Sequence, residues 1–277
     1  MKTDRYANLF ATLAARREGA YIPFVTLGDP DGEESLAILH TLAENGADAL
    51  ELGIPFSDPI ADGPVIQTAA NRALAAGTTP RDCFEIVRRF RQARPEMPIG
   101  LLVYANLVIG RGIEEFYSLA ATAGVDSVLV ADAPSNAAAI FAPRALAAGV
   151  APVYIAPPNA DDAKLREIAR LTRGYTYFLG RTGVTGADRE MDAPASANIA
   201  LLKEAGAPPI VVGFGISRPE HVRTALAAGA DGAIAGSATV AIIERNIGRP
   251  AAMHEELATF TREMKSATKG IGESRSA

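Results

Sequence analysis

The sequence predicts an α/β protein, a closed (β/α)8 TIM barrel with an extra helix after its second strand. Three observations carry that reading. One phrase recurs along the chain, a helical pattern that ends in a small-residue turn and is followed by a short apolar run. It stands as LAENGADALEL at 42–52, AATAGVDSVLV at 120–130, ALAAGVAPVYI at 145–155 and ALAAGADGAIA at 225–235. The glycine in each suits the left-handed residue that ends a helix, and the apolar run after it suits a strand buried on both faces. Second, eight such runs can be found, mostly at intervals of about 25 residues, enough for one strand, one helix and two short loops. Third, one interval is twice as long and has room for a further helix. Eight parallel βα units with right-handed crossovers close into a barrel. The alternative is an open doubly wound sheet, but no GxGxxG follows an early strand.

The runs follow in order. YIPFV begins the first strand near residue 21, and ALEL the second near 49. The long interval runs from there to IGLLVY near 99, and its two helical patterns begin near Pro64 and Pro80, prolines being accepted in a first helical turn. DSVLV begins the fourth strand near 126, and the helical pattern after it contains Pro143, which should kink or shorten that helix. APVYI near 151, YTYFL near 175, PIVVGF near 209 and GAIA near 232 complete the set. No Ser- or Gly-rich linker divides the chain. Residues 1–268 are therefore expected as a single catalytic domain, and 269–277 (KGIGESRSA) as a frayed tail without apolar periodicity.

Composition narrows the function. Of 277 residues, 48% are hydrophobic and 21% charged, which supplies a large core and excludes disorder as the main state. Lys plus Arg number 27 against 32 Asp plus Glu, a formal charge of −5, and no basic run offers a footprint for a phosphate backbone, so nucleic acid is not expected as a partner. The N-terminal stretch mixes acidic and basic residues, and nowhere are 18 consecutive residues apolar. No signal peptide or membrane span is read, and the chain is expected to be cytoplasmic. One cysteine, Cys83, fits a reducing compartment.

In a βα barrel, chemistry sits at the C-terminal ends of strands and in the loops after them. The five lysines and three histidines all fall in helical or terminal patterns, which disfavours a Schiff-base lysine and removes the usual metal ligand. Carboxylates remain. Glu51 lies at or near the end of the second strand, and Asp58 and Asp62 lie in the proline-rich loop that follows. Buried between apolar walls, Glu51 would hold its proton more tightly and suit acid/base exchange, whereas a solvated loop aspartate would stay charged, giving an acid/base pair. The plainer alternative makes Glu51 a buried hydrogen-bonding group and the aspartates turn and cap residues. A Mg²⁺ site, with Asp132 as the further acid, is a weaker reading. The loops after the sixth, seventh and eighth strands are glycine-rich. Gly186, Gly215, Gly236 and Ser237 occupy places where barrels bind phosphate through backbone N–H groups and a helix N-terminus. The loop GRTGVTGADRE could also close as a lid.

These residues carry a resemblance. PFVTLGDP (23–30), ADALELGIPFSDPIADGPVIQ (47–67), GLLVYANLV (100–108), VDSVLVADAP (125–134), PPNADD (157–162), RGYTYFLGRTGVTGA (173–187), GFGISRPEHV (213–222) and AGADGAIAGSA (228–238) resemble the tryptophan synthase α-subunit family, in order and over nearly the whole chain. The resemblance implies a lyase of tryptophan biosynthesis that cleaves indole-3-glycerol phosphate to indole and glyceraldehyde 3-phosphate without metal or Schiff base. By similarity Glu51 would protonate the indole ring carbon and take the glycerol hydroxyl proton, and Asp62 would stabilise charge at the indole nitrogen. Tyr177 and Thr185 would line the substrate site, Phe24, Leu102 and Phe214 would contact the indole, and Gly186, Gly215, Gly236 and Ser237 would hold the phosphate. The family implies no cofactor in this chain but a partner β subunit that binds pyridoxal phosphate and receives indole in an α2β2 complex. Asp58 is assigned to a loop facing that partner. Gly180 and Thr182 stand where the family often has serines, and IGRG (109–112) adds glycine in a region expected near the partner. Two other classes stay open: a catalytically silent sugar-phosphate-binding barrel acting as a regulatory subunit, and a different phosphate-handling barrel enzyme, an isomerase or epimerase.

Overall fold

The computed structural model describes residues 4–180 and 194–270. Nine parallel strands lie among them: β1 (Ala20–Thr26), β2 (Leu50–Gly53), β3 (Ile99–Val103), β4 (Ser127–Val130), β5 (Ala151–Val153), β6 (Ile155–Ala156), β7 (Thr176–Leu179), β8 (Ile210–Gly213) and β9 (Gly232–Ala235). They hydrogen-bond in the order β5-β4-β3-β2-β1-β9-β8-β7-β6. The expected eight become nine because the fifth run is interrupted at Tyr154. Its first half pairs with β4 and its second with β7, so the two ends of the sheet are halves of one run and the barrel closes through it. Pro152, which has no N–H to give a ladder, sits inside that run.

The helices lie outside: α1 (Arg5–Ala15), α2 (Gly32–Glu44), α3 (Pro64–Ala75), α4 (Pro80–Ala93), α5 (Ala105–Ile109), α6 (Ile113–Ala123), α7 (Ala138–Ala147), α8 (Asp162–Leu171), α9 (Pro194–Glu204), α10 (Pro219–Ala227), α11 (Ser237–Arg245) and α12 (Pro250–Ser266). The extra helix expected after the second strand is present, α3 and α4 both falling between β2 and β3, each with its proline in the first turn. Pro143 lies inside α7, which a 3₁₀ turn at Ser135–Ala137 precedes. The repeated glycines do what their pattern asks: Gly46, Gly124, Gly149 and Gly229 all have positive φ. The aspartate after three of these turns has a second use. Asp48, Asp126 and Asp231 accept the backbone N–H of Tyr21 (2.7 Å), Ile99 (3.0 Å) and Ile210 (2.7 Å), the entry of the neighbouring strand. Each ties two strands together at the barrel's N-terminal rim.

Inside the barrel, inward-facing residues form one apolar cluster that includes Ile22, Phe24, Leu129, Val153, Tyr175, Tyr177, Val211 and Ile234. Helix α1 closes the N-terminal end. Its Tyr6 is buried, packs its ring 5.3 Å from that of Tyr175, and hydrogen-bonds Ser127 Oγ at 3.0 Å. With that end stoppered, the interior meets solvent at the strands' C-terminal ends, where a cleft remains. Among the described residues no helix is long and apolar enough to cross a membrane. Most of the expected tail, residues 271–277, lies outside the described residues.

Candidate active site

The cleft holds about 280 Å³ at the C-terminal mouth of the barrel, and the floor is Glu51. Register explains why. In the parallel ladder Phe24 pairs with Glu51 and Glu51 with Gly100, so these positions share the inward face. The Glu51 side chain is only 1% exposed. The Tyr175 hydroxyl donates to its Oε1, while Oε2 is buried with no hydrogen-bond partner among the described residues. Burial pushes the Glu51 carboxyl from the ordinary 4.5 up to about 7, and the Tyr175 bond pulls the other way. A carboxyl so placed exchanges its proton near neutral pH. Burial, and then the neighbouring Glu51 charge, hold the Tyr175 phenol well above its usual range, so it serves as a donor.

Large side chains fit around Glu51 because glycines leave room. A Cβ at Gly53 would come 2.8 Å from Phe24 Cζ, one at Gly100 would come 3.1 Å from the Tyr6 hydroxyl, and one at Gly213 would fall on the Tyr177 hydroxyl. Gly53 and Gly213 thus set where the Phe24 and Tyr177 rings of the cleft stand, and Gly100 leaves room for Tyr6 beneath it.

Asp62 reaches the cleft from the loop between β2 and α3. The solvated environment expected for it is corrected by the structure: Asp62 is half-buried, and desolvation pushes its carboxyl up. The reason is Tyr104, the residue after β3. Its hydroxyl accepts the Ala61 N–H at 3.1 Å, and its ring stacks on Phe56 with centroids 5.3 Å apart. The loop is thereby folded onto the barrel and carries Asp62 out of bulk water.

Phe24, Leu102, Tyr177 and Phe214 form apolar walls. Phe214 has φ +68°, a conformation that strains a bulky residue, and its ring meets Tyr177 edge-on at 6.4 Å. Beyond it Gly215, Gly236 and Ser237 line the far end. Gly236 is the N-cap of α11 and no side chain caps that helix, so its first N–H groups are available to an anion.

Nine of the residues singled out from sequence thus meet in one cleft: Glu51, Asp62, Phe24, Leu102, Tyr177, Phe214, Gly215, Gly236 and Ser237. Thr185 and Gly186 lie outside the described residues, as do residues 181–190 of the loop expected to close as a lid. Asp58 is exposed on the loop and does not line the cleft. Asp132, the further acid weighed for a cation, accepts the Ala105 N–H at 2.7 Å, and among the described residues no three His, Cys, Asp or Glu side chains are grouped to hold a metal. Tyr175 and Tyr104 escaped the sequence reading. The alternation in YTYFL, which places residues 175 and 177 on one face, could have found the first.

Comparison with known proteins gives the family of the chain. A family profile described as tryptophan synthase alpha chain matches residues 10–269. The tryptophan synthase alpha chain of Cronobacter sakazakii is 57% identical over 265 residues, 96% of this chain and 98% of the relative. Among solved structures, tryptophan synthase subunit alpha of Legionella pneumophila superposes with TM-score 0.86 at 30% identity, covering 96% of this chain and 98% of that one. A chain from the tryptophan synthase α2β2 complex of Pyrococcus furiosus superposes with TM-score 0.82 at 39% identity, covering 90% and 98%. On barrel, cleft and likeness together, this chain belongs to the tryptophan synthase alpha chain family.

Proposed function

We propose that the cleft cleaves indole-3-glycerol phosphate to indole and glyceraldehyde 3-phosphate, with Glu51 moving the proton and Asp62 holding the charge. One observation carries the assignment of roles. A buried carboxyl with an unpartnered oxygen stands in an apolar cleft whose far end is an uncapped helix N-terminus. Phosphate at the start of α11 and indole between Phe24, Leu102 and Phe214 bring the bond between indole C3 and the glycerol chain towards Glu51.

The protonated Glu51 carboxyl gives its proton to indole C3. Positive charge then develops at the ring N–H, where the Asp62 carboxylate stabilises it. The Glu51 carboxylate next takes the proton of the adjacent glycerol hydroxyl. The carbon–carbon bond breaks, its electron pair returns to the indole ring, and the aldehyde departs. One proton has passed from hydroxyl to C3, and Glu51 ends protonated as it began. A pKa of about 7 lets one group serve as both acid and base.

The product indole is apolar, and the rim of the cleft offers it a protein neighbour. Ile60 is 79% exposed on the loop after β2 and Ile109 is 52% exposed after β3. Exposed aliphatic side chains at a functional mouth suit a protein contact. That rim, Asp58 included, is the docking face for a β subunit that carries pyridoxal phosphate and receives the indole. This chain is assigned no cofactor of its own. The test is indole release from indole-3-glycerol phosphate, by the chain alone and with a cognate β subunit. Slow release alone and faster release with the partner are expected. No release in either case overturns the reading.

A further inference from the structure

The two ends of the proposed substrate are handled by two helices, and a single arginine joins them. Helix α3 begins two residues after Asp62, and α11 begins at Ser237 in the phosphate cradle. The helices pack against each other. From the third turn of α3, Arg72 Nε and Nη2 donate to the two carboxylate oxygens of Asp29 at 2.8 Å each, and Nη1 reaches Glu244 Oε1 on α11 at 3.2 Å. The Asp29 side chain is fully buried. Its loop, which follows β1, is itself fixed at both ends: Asp29 N–H donates to Thr26 O of β1 at 3.3 Å and Gly28 N–H to Ser35 Oγ of α2 at 3.0 Å. The bidentate arm of Arg72 is therefore anchored to the barrel wall, and its remaining nitrogen holds α11. Such a planar fork fixes angles as well as distances, which lysine cannot do.

We propose that Arg72 is a positioning residue of this reaction: it sets the spacing between Asp62 at the start of α3 and the phosphate cradle at the start of α11, so that one substrate molecule reaches both. The proposal rests on the functional reading above. A molecule held at both ends gains from both only when their separation fits it, and misplacement by about 1 Å can cost about 10²-fold. A molecule that occupies one end does not sense the separation.

That difference supplies the test. Calorimetry compares three ligands: glycerol 3-phosphate for one end, indole for the other, and an indole bearing a phosphate on a three-carbon chain, which spans both. The proteins are wild type, Arg72→Lys, Arg72→Met and Glu244→Ala, the last removing only the α11 arm. In the variants the two half-ligands should bind within about twofold of wild type, while the spanning ligand and kcat/KM each fall at least about tenfold, Arg72→Lys being the mildest of the Arg72 variants. Equal weakening of all three ligands, or unchanged binding of the spanning one, overturns the proposal by making the ion cluster a general fold contact or an idle one. If Arg72→Met fails to fold, Glu244→Ala decides between these outcomes, because Glu244 is partly exposed. A wild type that binds the spanning ligand no more tightly than either half overturns both this proposal and the functional reading, whereas a failure confined to the variants overturns this proposal alone.

Discussion

Replacing Glu51 by Gln should remove a pH-dependent loss of stability that the wild type carries because of its active site. The carboxyl is 1% exposed, and burial moves it from 4.5 to about 7. Between those values the folded protein keeps a proton that the unfolded chain has released. Stability therefore falls as pH rises through this window and levels off above it. Moving the carboxyl from 4.5 to about 7 amounts to about 3 kcal/mol. Gln has no proton to lose, and its oxygen can still accept the Tyr175 hydroxyl. Its amide would occupy the place of Oε2 without a partner, a cost of about 1–3 kcal/mol that is the same at every pH and changes the offset but not the slope. Urea unfolding of both proteins, followed by circular dichroism from about pH 4.5 to 8.5, reads the difference directly. The variant should gain about 3 kcal/mol on the wild type between about pH 4.5 and about pH 8, and then run parallel to it. A difference that stays flat, or one that moves in favour of the wild type, would show that Glu51 titrates in the fold as it does in water and would refute the buried-acid account.

Three further outcomes follow from the same geometry. Tyr175→Phe deletes the donor that holds the Glu51 carboxyl down, so the fall of kcat/KM at high pH should move to higher pH, and an unmoved profile would deny Tyr175 that influence. Gly236→Asp has space for its Cβ, the nearest atom being Phe24 Cδ1 at 3.6 Å, yet it sets a carboxylate against the phosphate; calorimetry should show glycerol 3-phosphate weakened at least about tenfold in a folded protein. Asp58→Ala, on an exposed loop residue outside the cleft, should diminish acceleration by a β subunit more than it diminishes basal indole release, and equal losses would give Asp58 a catalytic or structural role.

The barrel was legible because its grammar is local. Each GAD or GVD turn names a helix end and a strand start within a dozen residues, and the positive φ of Gly46, Gly124 and Gly229 is the physical content of that pattern. Glu51 was legible for a similar reason, since a lone carboxylate in an apolar strand must face a functional cavity or a buried partner. What escaped depends on residues far apart. The Tyr175 bond to Glu51 joins positions 124 apart, and Arg72 reaches Asp29 and Glu244 across 43 and 172 residues. The half-burial of Asp62 could not be read from its proline-rich loop, because Tyr104 beyond two intervening helices draws that loop down. The split of the fifth strand at Tyr154 arises from closure of the barrel, where one short run must serve a neighbour on each side.

The central claim is that a buried, protonatable Glu51 carries the proton of the carbon–carbon cleavage. Its most direct test is the rate of indole release by Glu51→Gln under saturating indole-3-glycerol phosphate, with binding of glycerol 3-phosphate measured on the same sample to show that the phosphate end is intact. Unchanged glycerol phosphate affinity and a kcat lower by about 10²- to 10⁴-fold or more are expected, since the variant can neither give nor take the proton. Turnover near that of the wild type, in a variant that is folded and binds glycerol phosphate normally, would contradict the claim.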